Sequence, residues 1–368
     1  MINNFFTYPM RIFFLTSAAC AVLGAAIFFT PTDFVSLHKF IFLHLFLALA
    51  YAGFLLTGLT DWTNFSSSLK VHAYILFSLF ATSFIAALFS LFLAHFFITL
   101  FWAYLVMLCL YMIWRDKNVD QFGVLGFLFG ILGFEIYYLI SDNEKFLNLQ
   151  IYLHIIAILL ISYRVSVVLG KEALKRENDM DEAIFVPNFI YKNIAICMTC
   201  AFLLFNIFFE KSIGTYYAAI ACGCAVLAKL KEWHYKELFR HSFVLLYYFM
   251  QLFLAVGFFG IGFSGIFGLH LETNFMHLIA INAVVFSVML IFNVAGLRHS
   301  WQELEFLRLS KIAFILVFLA GISRGILAYF WSGFYIHLPA TLIAVAFALW
   351  FIDFYKIFRD NEFSDDPE

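Results

Sequence analysis

Long apolar runs, each about 20 residues and nearly free of charge, recur from one end of this chain to the other, and they leave few structural options. A run of about 20 apolar residues is the length that crosses a hydrocarbon core of about 30 Å as a helix, where every backbone N–H and C=O must be satisfied within the segment. Twelve such runs are present, at residues 12–30, 36–59, 71–90, 93–114, 121–140, 147–169, 189–209, 213–229, 241–262, 275–297, 309–331 and 334–356. The third and fourth are the least sharply divided, because only Ser90 and His95 interrupt the stretch from Val71 to Trp114. With 64% of its 368 residues hydrophobic and only 12% charged, the chain lies outside the composition of soluble domains. The expected fold class is therefore an all-α membrane protein, a polytopic bundle of about twelve transmembrane helices forming a single transmembrane domain over residues 1–368.

Basic residues orient the bundle. Loops on the cytoplasmic side collect Lys and Arg, and Arg11, Lys70, Arg115, Lys117, Lys171, Lys175, Arg176, Lys229, Arg240, Arg298 and Arg308 all fall at one side of the twelve-helix alternation. Lys39, Lys145 and Lys211 fall at the other. Both termini are thus expected to be cytoplasmic, with the first run retained as a span rather than removed as a leader. The one substantial hydrophilic insert, residues 171–188, divides helices 1–6 (residues 12–170) from helices 7–12 (residues 189–356), and the polar end, residues 360–368, is expected to be disordered. The two halves share no sequence motif.

Within so apolar a chain, the ionisable residues inside the spans carry the functional information, because each needs a partner, a metal or a route to water. Taking a rise of about 1.5 Å per residue, the outer half of the bundle collects His38, His44, His95, His154, His277, His337, Glu135 and Arg324, whereas His72, His241, His299 and Arg164 lie toward the inner side. His38 and His277 enter their helices by only a few residues. His44 and His154 lie about 10 Å in by the same rise. Residues from different helices can share an ion only at one level, so these are two natural pairs. A greasy macrocycle with an iron that takes axial imidazoles, heme, fits histidines presented by apolar helices; His38, His277, His44 and His154 are the candidate ligands, and Arg324 the candidate partner of its propionates. Arg324 has an alternative, a pairing with Glu135 or a carbonyl. His95, His337, His72 and His241 read as interfacial histidines, and Phe13 and Phe14 as lipid-facing bulk. Cys197 and Cys200 share one face of the seventh helix near Cys222 of the eighth, where soft sulfur ligands would suit copper, although cysteine is also a common small filler between spanning helices.

Several chemistries have no support. The chain carries no phosphate-cradling Gly loop and no nucleophile motif, so no catalytic constellation is recognisable.

At a number of positions the chain resembles the NnrS family of bacterial inner-membrane proteins. Pro9, Arg11, Phe13 and Phe14 match that family's P-x-R-x-F-F at the start of the first helix; His38 takes the place of the first His in W-H-x-H-E; Gly53-Phe54-Leu55-Leu56-Thr57 and Trp62-Thr63 match G-F-L-L-T and N-W-T. Arg164, Ala173 and Leu174 fit G-R-x-I-P-x-F-T-x-N-A-L, and His277 and His299 keep a spacing of 22 residues between a helix-start His and G-H-T. The chain departs from the pattern at Phe40 and Ile41, which replace the second His and the Glu of the second-helix motif, and at Val167, Glu172 and Arg298. The resemblance implies a b-type heme and copper, with His38, His277, His299 and His44 as metal ligands, location in the bacterial inner membrane, and a part in the response to nitric oxide, an apolar gas that ferrous heme binds. It marks His44 as the residue that could take over from the lost second His. The twelve-helix plan with histidines on helices two and ten also looks like the catalytic subunit of heme-copper oxidases, an analogy of position that does not transfer activity. Two alternatives follow from the same residues: a secondary transporter using the outer-half histidines and Arg324, and an oxidase-like electron-transfer subunit.

Overall fold

A computed structural model describes residues 2–30, 34–63, 65, 67–117, 119–177 and 184–363. The middle of the charged insert, 178–183, and the last residues of the tail, 364–368, lie outside the described residues. All twelve apolar runs are helical: α1 (Pro9–Phe29), α2 (Val35–Trp62), α3 (Lys70–Ala86), α4 (Leu91–Asp116), α5 (Phe122–Ser141), α6 (Lys145–Lys175), α7 (Phe189–Phe208), α8 (Ile213–Glu232), α9 (Ser242–Phe267), α10 (Glu272–Arg298), α11 (Arg308–Tyr329) and α12 (Ser332–Asp360). Eleven of them are long and apolar enough to cross a membrane; α3, at 17 residues, is shorter. The division between α3 and α4 falls where Ser90 allows it. The Ser90 hydroxyl caps α4 by accepting from Leu93 N at 3.4 Å, and Ser83 of α3 donates to the Ala94 carbonyl at 2.8 Å to hold the pair together.

Helices that follow one another in sequence pack side by side except for α2 and α3, the latter resting on α4, and α12 returns against α1. Arg11 fastens that seam. Its guanidinium donates to the carbonyls of Phe358 (2.8 Å) and Asn361 (2.9 Å), which belong to the group of C-terminal carbonyls that a helix leaves unpaired. Phe363, from the tail expected to be unstructured, stacks on Tyr8 with ring centroids 4.2 Å apart, so the described part of the tail packs on the bundle.

The helices differ sharply in how much of them is covered. In α2, α10 and α6, 78%, 72% and 61% of the most apolar window is buried, against 22% in α7. Every fourth helix is therefore central, and the other nine surround these three. Two of the central helices open into a π turn, at Phe40–Phe46 in α2 and Ala280–Val285 in α10. A π turn shifts a helix's hydrogen bonding and re-aims the side chains beyond it, a device that recurs at functional sites. Ser17 of α1 donates to the Phe46 carbonyl at 2.8 Å, supplying a partner at the end of the π turn in α2. Close approach elsewhere depends on small residues: a Cβ at Gly260 of α9 would overlap the Phe275 ring of α10.

Phe13 and Phe14 correct one sequence expectation. Both are fully buried rather than lipid-facing. Gly53 of α2 leaves the room that Phe14 fills, and Phe14 stacks on Phe292 of α10 with centroids 4.1 Å apart. Apolarity alone does not say whether a phenyl ring faces lipid or protein; the missing side chain opposite it does.

Candidate metal and cofactor sites

Glu135 of α5 is a carboxylate with no solvent exposure at all. A carboxylate in that position is stable only when paired and hydrogen-bonded, and three helices supply its partners. His44, on the π turn of α2, donates from Nδ1 to Oε1 at 2.6 Å; His95 of α4 donates from Nδ1 to Oε2 at 2.9 Å; Gln150 of α6 donates from Nε2 to Oε1 at 3.0 Å. All four residues are buried. The two imidazoles meet edge to face, with centroids 4.7 Å apart, and Phe40 packs against both. Among the described residues, His44, His95 and Glu135 are the one group of three His, Cys, Asp or Glu side chains close enough to hold a single ion, with ligand atoms within 4.8 Å of one another. Cys197, Cys200 and Cys222 form no such group.

His154 of α6, the expected partner of His44, stacks on Tyr51 with centroids 5.5 Å apart, and its Nδ1 lies 3.3 Å from the Tyr51 hydroxyl. It is an electrostatic neighbour of His44 and Glu135 but stands outside the ligand group.

His38 and His277 come together at the same end of the bundle, where Arg324 of α11 neighbours both. His277 donates from Nδ1 to the Thr273 carbonyl at 2.7 Å, one turn back in α10. That bond fixes the tautomer and leaves Nε2 as an acceptor, which takes a hydrogen bond from Arg324 Nη2 at 3.2 Å. The guanidinium lies flat on the Tyr335 ring, 3.3 Å from its centroid. The second arginine nitrogen, Nη1, is buried without a hydrogen-bond partner among the described residues, and so is His38 Nδ1, whose ring packs between Phe28 and Phe42. Arg324 therefore pairs with His277, not with Glu135.

His299 stands at the opposite end of α10 and shares no site with the other histidines. Its Nε2 is 3.8 Å from Asp61 Oδ2, and its ring stacks on Phe363 at 5.1 Å. Beside it, a space of about 230 Å³ opens between α1, α2, α6 and α10, walled largely by apolar side chains and bordered by Asp61, Trp62, Arg164 and Arg298. Arg164 lies over the Trp62 ring at 3.9 Å and donates to Gln121 Oε1 at 2.8 Å.

Sequence reasoning thus placed His44 correctly as a deep residue but missed two of its companions. His95 is buried rather than interfacial, and Gln150 went unremarked. The available clue was Glu135, the one acid well inside a span, since a carboxylate there obliges nearby donors to face it.

No curated protein matches this chain. The NnrS protein family does, over residues 4–361, nearly the whole length. That match spans every histidine discussed above; the chain belongs to the NnrS family.

Proposed function

We propose that this NnrS protein binds heme at the His38–His277 end of the bundle and acts in the bacterial inner membrane in the response to nitric oxide. The observation that carries the reading is the convergence of His38, His277 and Arg324 from three helices, with His38 Nδ1 and Arg324 Nη1 both buried and unsatisfied. Buried polar atoms are paired in the great majority of cases, so two orphans at one spot suit a group that offers a metal to the imidazole and a carboxylate to the guanidinium. His38 and His277 would hold the iron, His277 through the Nε2 that Arg324 releases on turning to a propionate. When bound, heme supplies an iron that exchanges electrons and binds small gases. The protein's part is to present two imidazoles, that of His277 in a fixed tautomer, to keep bulk water away with Phe28 and Phe42, and to place a cation beside the propionates. With both histidines ligating, the iron is six-coordinate and suits electron transfer or sensing; with one, a position is open to nitric oxide.

The space beside His299 favours a second placement. It has apolar walls, with one imidazole, two arginines and the Asp61 carboxylate at its border, where the first placement has two imidazoles and one arginine. The reduced-minus-oxidised absorption spectrum of full-length protein purified from heme-sufficient cells, with and without nitric oxide, tests both. A Soret band that survives in His299→Ala and is lost in His277→Ala supports the first placement, and the reverse supports the second. No Soret band in the unsubstituted protein contradicts heme binding altogether.

A further inference from the structure

The buried carboxylate and its two histidines do more than satisfy one another. We infer that His44, His95 and Glu135 form a binding site for a divalent first-row metal ion of the Fe(II) or Zn(II) class, distinct from any heme site.

Four observations carry this. The donor set is two imidazoles and one carboxylate from three different helices, a combination that binds divalent first-row ions and leaves coordination positions open. The ligand atoms already lie within 4.8 Å of one another, and both imidazoles point Nδ1 at the carboxylate. A metal takes the place of those two hydrogen-bonded protons, which move to Nε2 as each ring adopts its other neutral tautomer; the carboxylate is the one formal charge on the ligands. Neutral nitrogen and hard oxygen donors without sulfur favour a divalent ion over Cu(I).

Gln150 supplies the independent sign of a missing partner. Its amide nitrogen is committed to Glu135, while its Oε1, on a side chain with no solvent exposure, has no hydrogen-bond partner among the described residues. An amide oxygen left over beside two histidines and a carboxylate can join the coordination or accept from a metal-bound water. Gln150 is thereby a positioning residue of the kind that orients ligating carboxylates.

The site also borders a small cavity. A space of about 30 Å³, room for about one or two waters, lies against His44, His95, Tyr138 and Asn148 and is lined toward the bundle end by Lys39 and Glu144, which form an ion pair at 3.9 Å. A water held there would complete the coordination of a bound ion.

The experiment uses Co(II), whose visible absorption reports its ligands, added to full-length detergent-purified protein after treatment with a chelator. The inference predicts one Co(II) per chain, displaced by Zn(II), and an X-ray absorption spectrum of the Zn(II) form showing nitrogen and oxygen neighbours. Glu135→Gln should abolish uptake, and Gln150→Leu, which keeps His44, His95 and Glu135, should weaken it by about 10-fold or more. X-ray absorption on the unsubstituted protein needs no variant to fold: sulfur scattering there would move the ion to the cysteines and overturn the assignment. So would absence of stoichiometric Co(II), or uptake unchanged in Glu135→Gln. Heme content, read on the same samples, is expected to stay at the unsubstituted level in Glu135→Gln, so failure of the heme proposal and failure of this one are separate results.

Discussion

His38 and His44 sit six residues apart on the same helix, yet they live in different surroundings. His38, at the helix end, is held by phenyl rings and by the neighbourhood of a cation, with its Nδ1 unsatisfied. His44, one to two turns deeper, is locked at 2.6 Å to a carboxylate that has no contact with solvent. An α-helix advances about 100° per residue, and the π turn at Phe40–Phe46 departs from that progression between the two positions. One helix can therefore serve α10 and α11 with one imidazole, and α4 and α5 with the other. The difference teaches that charge decides how obligatory a pairing is. The buried Glu135 carboxylate is met on both oxygens by neighbouring donors, whereas the neutral imidazoles of His38 and of His154, the latter as buried as Glu135, each keep one nitrogen without a partner among the described residues.

The largest expected effect follows from breaking the deeper of the two arrangements. Removing both imidazoles, in His44→Ala with His95→Ala, leaves Glu135 with Gln150 as its one remaining partner and should lower stability by about 3–5 kcal/mol, the range seen when a buried charge loses its counterpart. Thermal unfolding in detergent reads this. A loss below about 1 kcal/mol would mean that the carboxylate is held in its protonated form and that the pairing is not ionic. Glu135→Gln should cost less than the double variant, because it removes the charge along with the pairing and keeps a polar group of the same size.

At the helix end the balance should invert, with a small structural effect and a large spectroscopic one. His277→Ala is expected to change stability by only about 1 kcal/mol, as for most single substitutions, while abolishing the heme Soret band. A heme spectrum unchanged in His277→Ala would end the comparison by removing that residue from any cofactor site. Arg324→Gln should keep the band and loosen the heme, seen as faster transfer to apomyoglobin; unaltered transfer would show that Arg324 serves only His277 and Tyr335.

The smallest expected effect concerns the mouth of the cavity beside His44 and His95. Reversing the mouth charge in Glu144→Lys places two cations, Lys39 and the new residue, at the rim, and Co(II) uptake should slow at low ionic strength and recover at high salt, where charges farther apart than about 10 Å are screened. Stopped-flow absorption checks it. A rate insensitive to the substitution at every salt concentration would place the ion's route elsewhere.

Much of this architecture was legible in the residues, and the parts that were not share a physical cause. Twelve apolar runs foretold twelve helices, because in hydrocarbon a helix is the one conformation that satisfies its own backbone. The gap at Ser90 was visible as well. Depth along a helix was readable from residue number, so His38 and His277 were recognisable as a pair at one level; His44 was paired by depth with His154, and Glu135 was placed only in the same outer half. What a linear sequence lacks is rotation and neighbour order. His95 lies only four residues into α4 and so looks interfacial, until the packing of α2, α4, α5 and α6 turns it onto Glu135. Arg324 could be narrowed to a partner at its own level, but the choice of His277 over Glu135 depends on α11 packing against α10. The burial of Phe14 likewise depends on Gly53 of a different helix. His299, marked by the family motif, proved to stand at the far end of α10 from His277, since 22 residues of helix span about 33 Å.

The claim that α2 serves two independent cofactor sites is tested most directly by measuring heme and cobalt content together in His277→Ala and Glu135→Gln, each purified full length after heme-sufficient expression and loading with Co(II). The account predicts a double dissociation: His277→Ala loses heme and keeps one cobalt per chain, and Glu135→Gln keeps heme and loses cobalt. Loss of both in either variant, from protein that remains folded and monodisperse, would contradict it and make the two clusters a single site.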